Sequence, residues 1–250
     1  VIEDKLRIGW SPEQVSAELK LCYNISISHE LIYQYIYDDR KAGGSLYKLL
    51  PHRGIKYKKR NIKIRRVWKK ASTRISISER SDKFILKQKI GNWEGDTVEG
   101  KGHKSGLGTF VDMKSKYVII RKLKNKSSDE MKDALVNSFI DCPDLINTLT
   151  LDNGGEFALH EKVSSELNAQ VYFAHPYSPW ERGLNENTNG LIRRFFPKGT
   201  DFNKIPVWNI LNVQELLNNR PRKTLGFKTP KEVFMKEVFK KQKYRNMLTI

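Results

Sequence analysis

The sequence predicts two parts of different fold class, an all-α N-terminal region followed by a mixed α/β domain. Three observations lead to this prediction. Apolar residues recur at helical spacing through the first part of the chain, and a segment rich in Lys and Arg then interrupts the pattern. Beyond about residue 90, short β-type runs alternate with amphipathic helical runs. The 250 residues suffice for one large domain or two small ones.

The N-terminal region carries clear helix-start signals. Ser11 is a predicted N-cap, with Pro12 at the first helical position and Gln14 at the capping-box spacing. Ser28 is a predicted cap for a second helix. Two short helices joined by about half a dozen residues are typical of a helix-turn-helix, whose second helix reads the DNA groove. An ordinary helical hairpin is the alternative.

The positive charge of the chain is concentrated in one segment. The formal net charge is +18, and residues 40–78 contain 14 Lys or Arg and no acid. Such a segment is typical of contact with DNA phosphates, although a solvated charged connector is the alternative. The candidate DNA-binding residues in this segment are Lys58, Lys59, Arg60, Arg65, Arg66, Lys69 and Lys70.

The second part of the chain has a recognisable order of elements. Three strands are predicted, then helix, strand, helix, strand and helix, which is the order of the ribonuclease-H-like fold. We therefore expect a ribonuclease-H-like (integrase) core with a mixed five-stranded sheet and flanking helices. The predicted domains are a helix-turn-helix domain at 1–50, a basic linker at 51–85, the core at 86–200 and a C-terminal helical extension at 201–250.

Three carboxylates are placed to share one site in this fold. Asp96 lies within the first predicted strand, Asp152 ends the fourth, and Glu186 lies in the first turn of a later helix. The first and fourth strands are neighbours in this order, so the three acids can converge and would repel one another without a cation. Oxygen ligands of this kind suit Mg²⁺ or Mn²⁺. Two such ions about 4 Å apart can stabilise both oxygens of an in-line phosphoryl displacement.

Glu186 is preferred over Glu156 and Glu181 as the third ligand. Its helix carries an apolar stripe on one face, so Glu186, Asn189 and Arg193 point the other way. Asn189 and Arg193 are candidates for gripping the DNA backbone, with a polar exposed stripe as the alternative. Three further side chains near this helix have an open role. Arg182 is a generic phosphate ligand; Trp180 either wedges into DNA or packs beneath the helix; His175 contacts a phosphate or metal, or is held by its own backbone.

Four stretches carry a resemblance to a known family: NWEGDTVEG, LTLDNGGEFALH, YFAHPYSPWERGLNENTNGLIRRFFPKGTDF and NRPRKTLGFKTPKEVF. They resemble the DDE transposases of the insertion sequence 30 family. The resemblance implies an integrase core that cleaves DNA at terminal inverted repeats and then performs strand transfer. It also implies that the three family acids correspond to Asp96, Asp152 and Glu186. Such transposases usually carry a further upstream helix-turn-helix domain, and this chain opens without Met, so we expect a fragment.

The sequence therefore predicts a transposase that uses two Mg²⁺ (or Mn²⁺) ions, with double-stranded DNA of the element ends and of the target as its partners. Joining two element ends predicts a homodimer or larger assembly on DNA. A retroviral-type integrase and a DNA-binding regulator derived from a transposase are the alternatives. No apolar run is long enough for a membrane span, and two distant cysteines do not form a disulfide framework. We expect a cytoplasmic, nucleoid-associated bacterial protein without a membrane partner.

Overall fold

The structure, a computed structural model, describes residues 1–50, 73–80, 87–176 and 178–248. These residues form two compact units. The first contains residues 1–50 together with Arg220–Thr229, and the second contains the other described residues. The domain boundaries drawn from the sequence stay predictions.

The first unit is helical. Its helices are α1 (Ile2–Arg7), α2 (Pro12–Tyr23) and α3 (His29–Lys41). The capping box of α2 is confirmed, since Ser11 Oγ accepts from the Gln14 backbone N–H while Gln14 Oε1 accepts from the Ser11 backbone N–H. Gln14 also donates to the Pro221 carbonyl at 2.6 Å, which attaches the distant 220–229 segment to this unit. Two helices with a short connection fit a helix-turn-helix, and its DNA-reading role stays a prediction.

The second unit is built on a mixed six-stranded sheet. Its strands are β1 (Ile75–Ser76), β2 (Asn92–Glu99), β3 (Gly106–Asp112), β4 (Val118–Leu123), β5 (Thr148–Leu151) and β6 (Gln170–Phe173). The spatial order is β1-β6-β5-β2-β3-β4. The β2–β3 and β3–β4 pairs are antiparallel, whereas β2–β5, β5–β6 and β1–β6 are parallel.

The sheet has one strand more than the five predicted. This strand, β1, has only two residues and pairs with β6 at the edge of the sheet. It lies within the segment 51–85 that the sequence predicted to be a linker. A run this short carries no alternation from which a strand could be recognised.

Helices cover both faces of this sheet. They are α4 (Ser128–Phe139), α5 (His160–Leu167), α6 (Gly183–Phe195), α7 (Val207–Asn218) and α8 (Pro230–Leu248). Trp93 of β2 packs with α4, α5 and α8 on one face, whereas Val98 of the same strand packs with α6 and α7 on the other. The alternation of side chains along each strand produces these two cores. The predicted ribonuclease-H-like fold is confirmed.

No helix in the described ranges is both long and apolar enough to cross a bilayer. Cys22 and Cys142 are free thiols on the surface.

Candidate active site

Two aspartates meet where the central parallel strands end. β2 and β5 are neighbours, and their register aligns Glu94 with Thr150. Two residues further along each strand stand Asp96 and Asp152, so the two acids lie at the same level of the sheet. The predicted adjacency of the first and fourth core strands is thereby confirmed.

Two glycines leave the space that this arrangement requires. A Cβ at Gly95, beside Asp96, would lie 2.6 Å from Leu151 Cδ2. A Cβ at Gly154 would lie 2.3 Å from Glu156 Oε2 and 2.8 Å from Asp152 Oδ1. Any larger residue at either position would displace the strand end or the carboxylates. Gly155 has open space around it and is under no such constraint.

Arg182 holds the two aspartates together. Its guanidinium lies 3.4 Å from Asp96 Oδ1 and 3.1 Å from Asp152 Oδ2, and it donates to the Gly95 carbonyl at 3.2 Å. The arginine side chain is 15% exposed, against 24% and 35% for the two aspartates. One partly buried cation therefore neutralises a pair of carboxylates that would otherwise repel each other.

The Asp96 carboxylate is oriented by three further groups. Oδ1 accepts from the Thr97 backbone N–H at 2.8 Å, and Oδ2 accepts from Asn189 Nδ2 at 2.8 Å. The Thr109 hydroxyl in turn donates to Asn189 Oδ1 at 3.0 Å, which fixes the direction of that amide. Burial raises the pKa of the Asp96 carboxyl, while Arg182 opposes the increase and the neighbouring Asp152 adds to it.

Asp152 is held from the chain that follows it. Its Oδ1 accepts from the Gly154 backbone N–H at 2.8 Å, which leaves Oδ2 facing Arg182. Arg74 donates to the Asn153 and Gly154 carbonyls at 3.0 and 3.3 Å and stacks over Phe173. The C-terminal end of the basic segment is thus anchored next to Asp152.

Helix α6 runs along β2 in a matched register. Asn185 donates its backbone N–H to Glu94 Oε2 at 3.3 Å, Asn189 contacts Asp96, and Arg193 donates to the Glu99 carbonyl at 2.6 Å. Four helical residues rise about 6 Å and two strand residues about 6.6 Å, so contacts spaced by four on the helix meet positions spaced by about two on the strand. Glu94 is fully buried and supplies the acceptor that the first turn of α6 lacks from a side chain at its N-cap.

The three predicted residues of α6 have different surroundings. Asn189 and Arg193, expected to grip DNA, instead bond to β2, and burial lowers the pKa of Arg193. Glu186 lies in the first turn and is exposed. In the described residues no group of three His, Cys, Asp or Glu side chains is assembled as a metal site. The role of Glu186 as third ligand stays a prediction.

The two competing glutamates are both held by a cationic or imidazole partner. Glu156 is buried beside Gly154 and lies 3.3 Å from Lys126 Nζ. Glu181 accepts from the His175 backbone N–H and from His175 Nδ1, both at 2.7 Å. Burial alone would raise the pKa of the Glu181 carboxyl, but these hydrogen bonds outweigh it and lower the pKa. Sequence patterns did not indicate this pairing, because it closes a loop rather than a periodic element.

Other predicted residues are placed as follows. Trp180 is 71% exposed, so it does not pack beneath α6. Asp112 is buried in the β3–β4 turn and accepts from Ser115, which makes it the turn residue that the hairpin pattern indicates. The DNA-binding candidates of the basic segment lie outside the described residues: Lys58, Lys59, Arg60, Arg65, Arg66, Lys69 and Lys70.

Comparison with known proteins places this geometry in context. Residues 87–179 match the family described as the integrase core domain. The chain is 42% identical to the transposase for insertion sequence element IS4351 of Bacteroides fragilis, over 92% of this chain and 70% of that protein. It is 38% identical to the transposase InsI for insertion sequence element IS30C of Escherichia coli, over 95% of this chain and 64% of that protein. The chain thus spans about two thirds of the length of these relatives.

Proposed function

The chain belongs to the transposases of the insertion sequence 30 family, and from this premise we propose that it cleaves DNA at the ends of a mobile element and joins the 3′ ends to target DNA. The retroviral-type integrase shares the core fold, but the relatives at 38–42% identity are transposases. The observation that carries the proposal is the pair Asp96 and Asp152, two strand-end carboxylates that already share one cation.

This donor set fits a divalent metal ion. The two oxygens that contact Arg182, Asp96 Oδ1 and Asp152 Oδ2, are hard ligands that stay partly open to solvent. Mg²⁺ or Mn²⁺ suits such oxygen ligands, and Glu186 is the proposed third ligand. When bound, a pair of such ions supplies the positive charge that stabilises the oxygens of an in-line phosphoryl displacement.

The residues of the chain then have separate tasks. Asp96 and Asp152 hold the cations, and their other contacts keep both carboxylates in one orientation before the substrate arrives. Thr109 and Asn189 fix Asp96, while the backbone N–H of Gly154 fixes Asp152. Such support limits the reorganisation needed at the moment of reaction.

The wider proposal concerns partners. Double-stranded DNA of the element ends and of the target would meet the basic segment through its phosphates, and α3 would read sequence. A homodimer or larger assembly would bring two ends together. The proposed location is the bacterial cytoplasm, in association with the nucleoid.

The test is a cleavage assay on linear DNA with Mg²⁺ or Mn²⁺, with and without chelator. Asp96→Asn, Asp152→Asn and Glu186→Gln should each lose metal-dependent cleavage and strand transfer while retaining the fold and DNA affinity. Glu156→Gln is the matched control, because Glu156 is also a carboxylate close to Asp152 and should keep substantial activity.

Each outcome has a definite meaning. Good DNA binding without cleavage by the wild-type chain in either metal would favour the regulator derived from a transposase. Near wild-type cleavage by Glu186→Gln would remove Glu186 from the site while leaving the aspartate pair in place.

A further inference from the structure

An unusually exposed tryptophan stands beside the aspartate pair. Trp180 lies in the short 3₁₀ helix Pro179–Arg182, and its 71% exposure exceeds that of the other large apolar side chains in the described ranges. Single exposed apolar residues are common on protein surfaces, so exposure alone assigns no role. The position of Trp180 and the bracing of its loop distinguish it from such residues.

The position of Trp180 is fixed relative to the acids by the chain itself. Arg182, two residues later, contacts both Asp96 and Asp152. Two residues span at most about 7 Å of chain. Successive bases on one DNA strand are about 3.4 Å apart, so a phosphodiester at the aspartates brings one of its flanking bases within reach of the indole.

The loop that presents Trp180 is braced. Glu181 binds both the backbone and the ring of His175, and His175 Nε2 lies 3.0 Å from Ser78 Oγ. The loop is therefore tied to the segment that follows β1. A side chain held in this way loses little conformational freedom when a ligand stacks on it.

The surroundings also favour nucleic acid as the occupant. The basic segment 40–78 ends next to the acids, because its last arginine, Arg74, is anchored on the Asn153 and Gly154 carbonyls. DNA phosphates that follow this segment are led towards the loop of Trp180. An indole next to a phosphate path is the arrangement used for stacking bases of a single strand.

We propose that Trp180 is a stacking platform for an unpaired base next to the scissile phosphate, so that the site favours DNA whose strands are locally separated there. This inference rests on the proposed DNA cleavage function and deepens it. Trp180 is a positioning residue for DNA and takes no part in proton or phosphoryl transfer.

The test uses two linear duplexes of the same sequence, one fully paired and one with a two-nucleotide mismatch that contains 2-aminopurine. Binding is measured in chelator, so that cleavage does not intervene. The wild-type chain should quench the 2-aminopurine fluorescence and bind the mismatched duplex more tightly. Trp180→Ala should lose the quenching and bind that duplex about five- to a hundredfold more weakly, with little change on the paired duplex.

Trp208 offers a matched control. It is 67% exposed on α7, a helix that packs on β4 rather than beside the acids, and Trp208→Ala should behave as wild type. Trp180→Phe should retain most of the quenching, since a phenyl ring also stacks. Circular dichroism should show an unchanged fold, because Trp180 contributes little buried surface.

The results separate this inference from the function on which it rests. Wild-type cleavage in Mg²⁺ with equal quenching by wild type and Trp180→Ala would overturn the stacking role and leave the transposase function standing. Quenching lost in Trp180→Ala, together with no cleavage by the wild type in any divalent metal, would support stacking and overturn the cleavage proposal.

Discussion

Replacing Arg182 by alanine tests whether its guanidinium and a divalent cation compete for the same two carboxylates. At an effective dielectric constant of about 20, a unit charge pair at 3.1–3.4 Å interacts by about 5 kcal/mol. Desolvation of the partly buried groups and solvent screening offset most of this energy. A net loss of about 2 kcal/mol is a reasonable expectation for a site intermediate between exposed and buried.

Without metal, Arg182→Ala should therefore lower the Tm by about 4–8 °C, the shift expected for about 2 kcal/mol in a chain of this size. The effect of added metal should be opposite. A cation that enters the variant does not have to displace the guanidinium, so the same 2 kcal/mol strengthens metal binding by about thirtyfold. The stabilisation by Mn²⁺ or Mg²⁺ should be larger in the variant than in the wild type.

The assay is thermal unfolding across a metal titration, from which the Kd follows by linkage. Arg121→Ala is the control, because Arg121 is also partly buried but its guanidinium contacts the Ile120 carbonyl at 3.5 Å. The control should show no gain in metal affinity. Weaker or unchanged metal binding by Arg182→Ala would refute the competition, and an unchanged Tm without metal would refute the bridging role.

Three further predictions concern other parts of the chain. Asp112→Ala should lower the free energy of unfolding by about 2–4 kcal/mol, because this buried carboxylate accepts hydrogen bonds from Gly91, Lys114 and Ser115; a wild-type Tm would contradict this. Neutralising the basic segment should flatten the salt dependence of DNA affinity, by about 0.9 in the log–log slope for each phosphate that the segment no longer neutralises, and an unchanged slope would exclude phosphate binding by it. The residues to replace together are Lys58, Lys59, Arg65 and Arg66. Leu31→Ala with Gln34→Ala, on the exposed face of α3, should remove the preference for one DNA sequence and leave non-specific binding intact; a retained preference in a binding competition would exclude α3 as the reader.

Local elements of this protein could be predicted from the sequence because their causes lie within a few residues of one another. The capping box of α2 joins Ser11 to Gln14, three residues apart. The apolar stripe of α6 repeats at helical spacing, and Leu184, Leu191 and Ile192 do pack into the core. The order of strands and helices then restricts the topology, and that restriction is enough to predict that Asp96 and Asp152 are neighbours.

The contacts that complete the candidate site could not be predicted in the same way. Arg182 meets Asp96 and Asp152 from 86 and 30 positions away in the chain, and the choice between binding these acids and binding DNA depends on the register of the strands. Asn189 shows the same limit. Its helical face was predictable, but only the packing of α6 along β2 decided that it bonds to Asp96 rather than facing solvent.

Local sequence therefore determined which segments are helices and strands and which acids stand at strand ends, because hydrogen-bond periodicity and side-chain burial act over a few residues. Tertiary structure alone decided which cation neutralises those acids, which loop is braced by Glu181 and His175, and that Trp180 faces solvent. These outcomes depend on distances between segments that are remote in sequence. Such distances are set only when the sheet and its helices pack together.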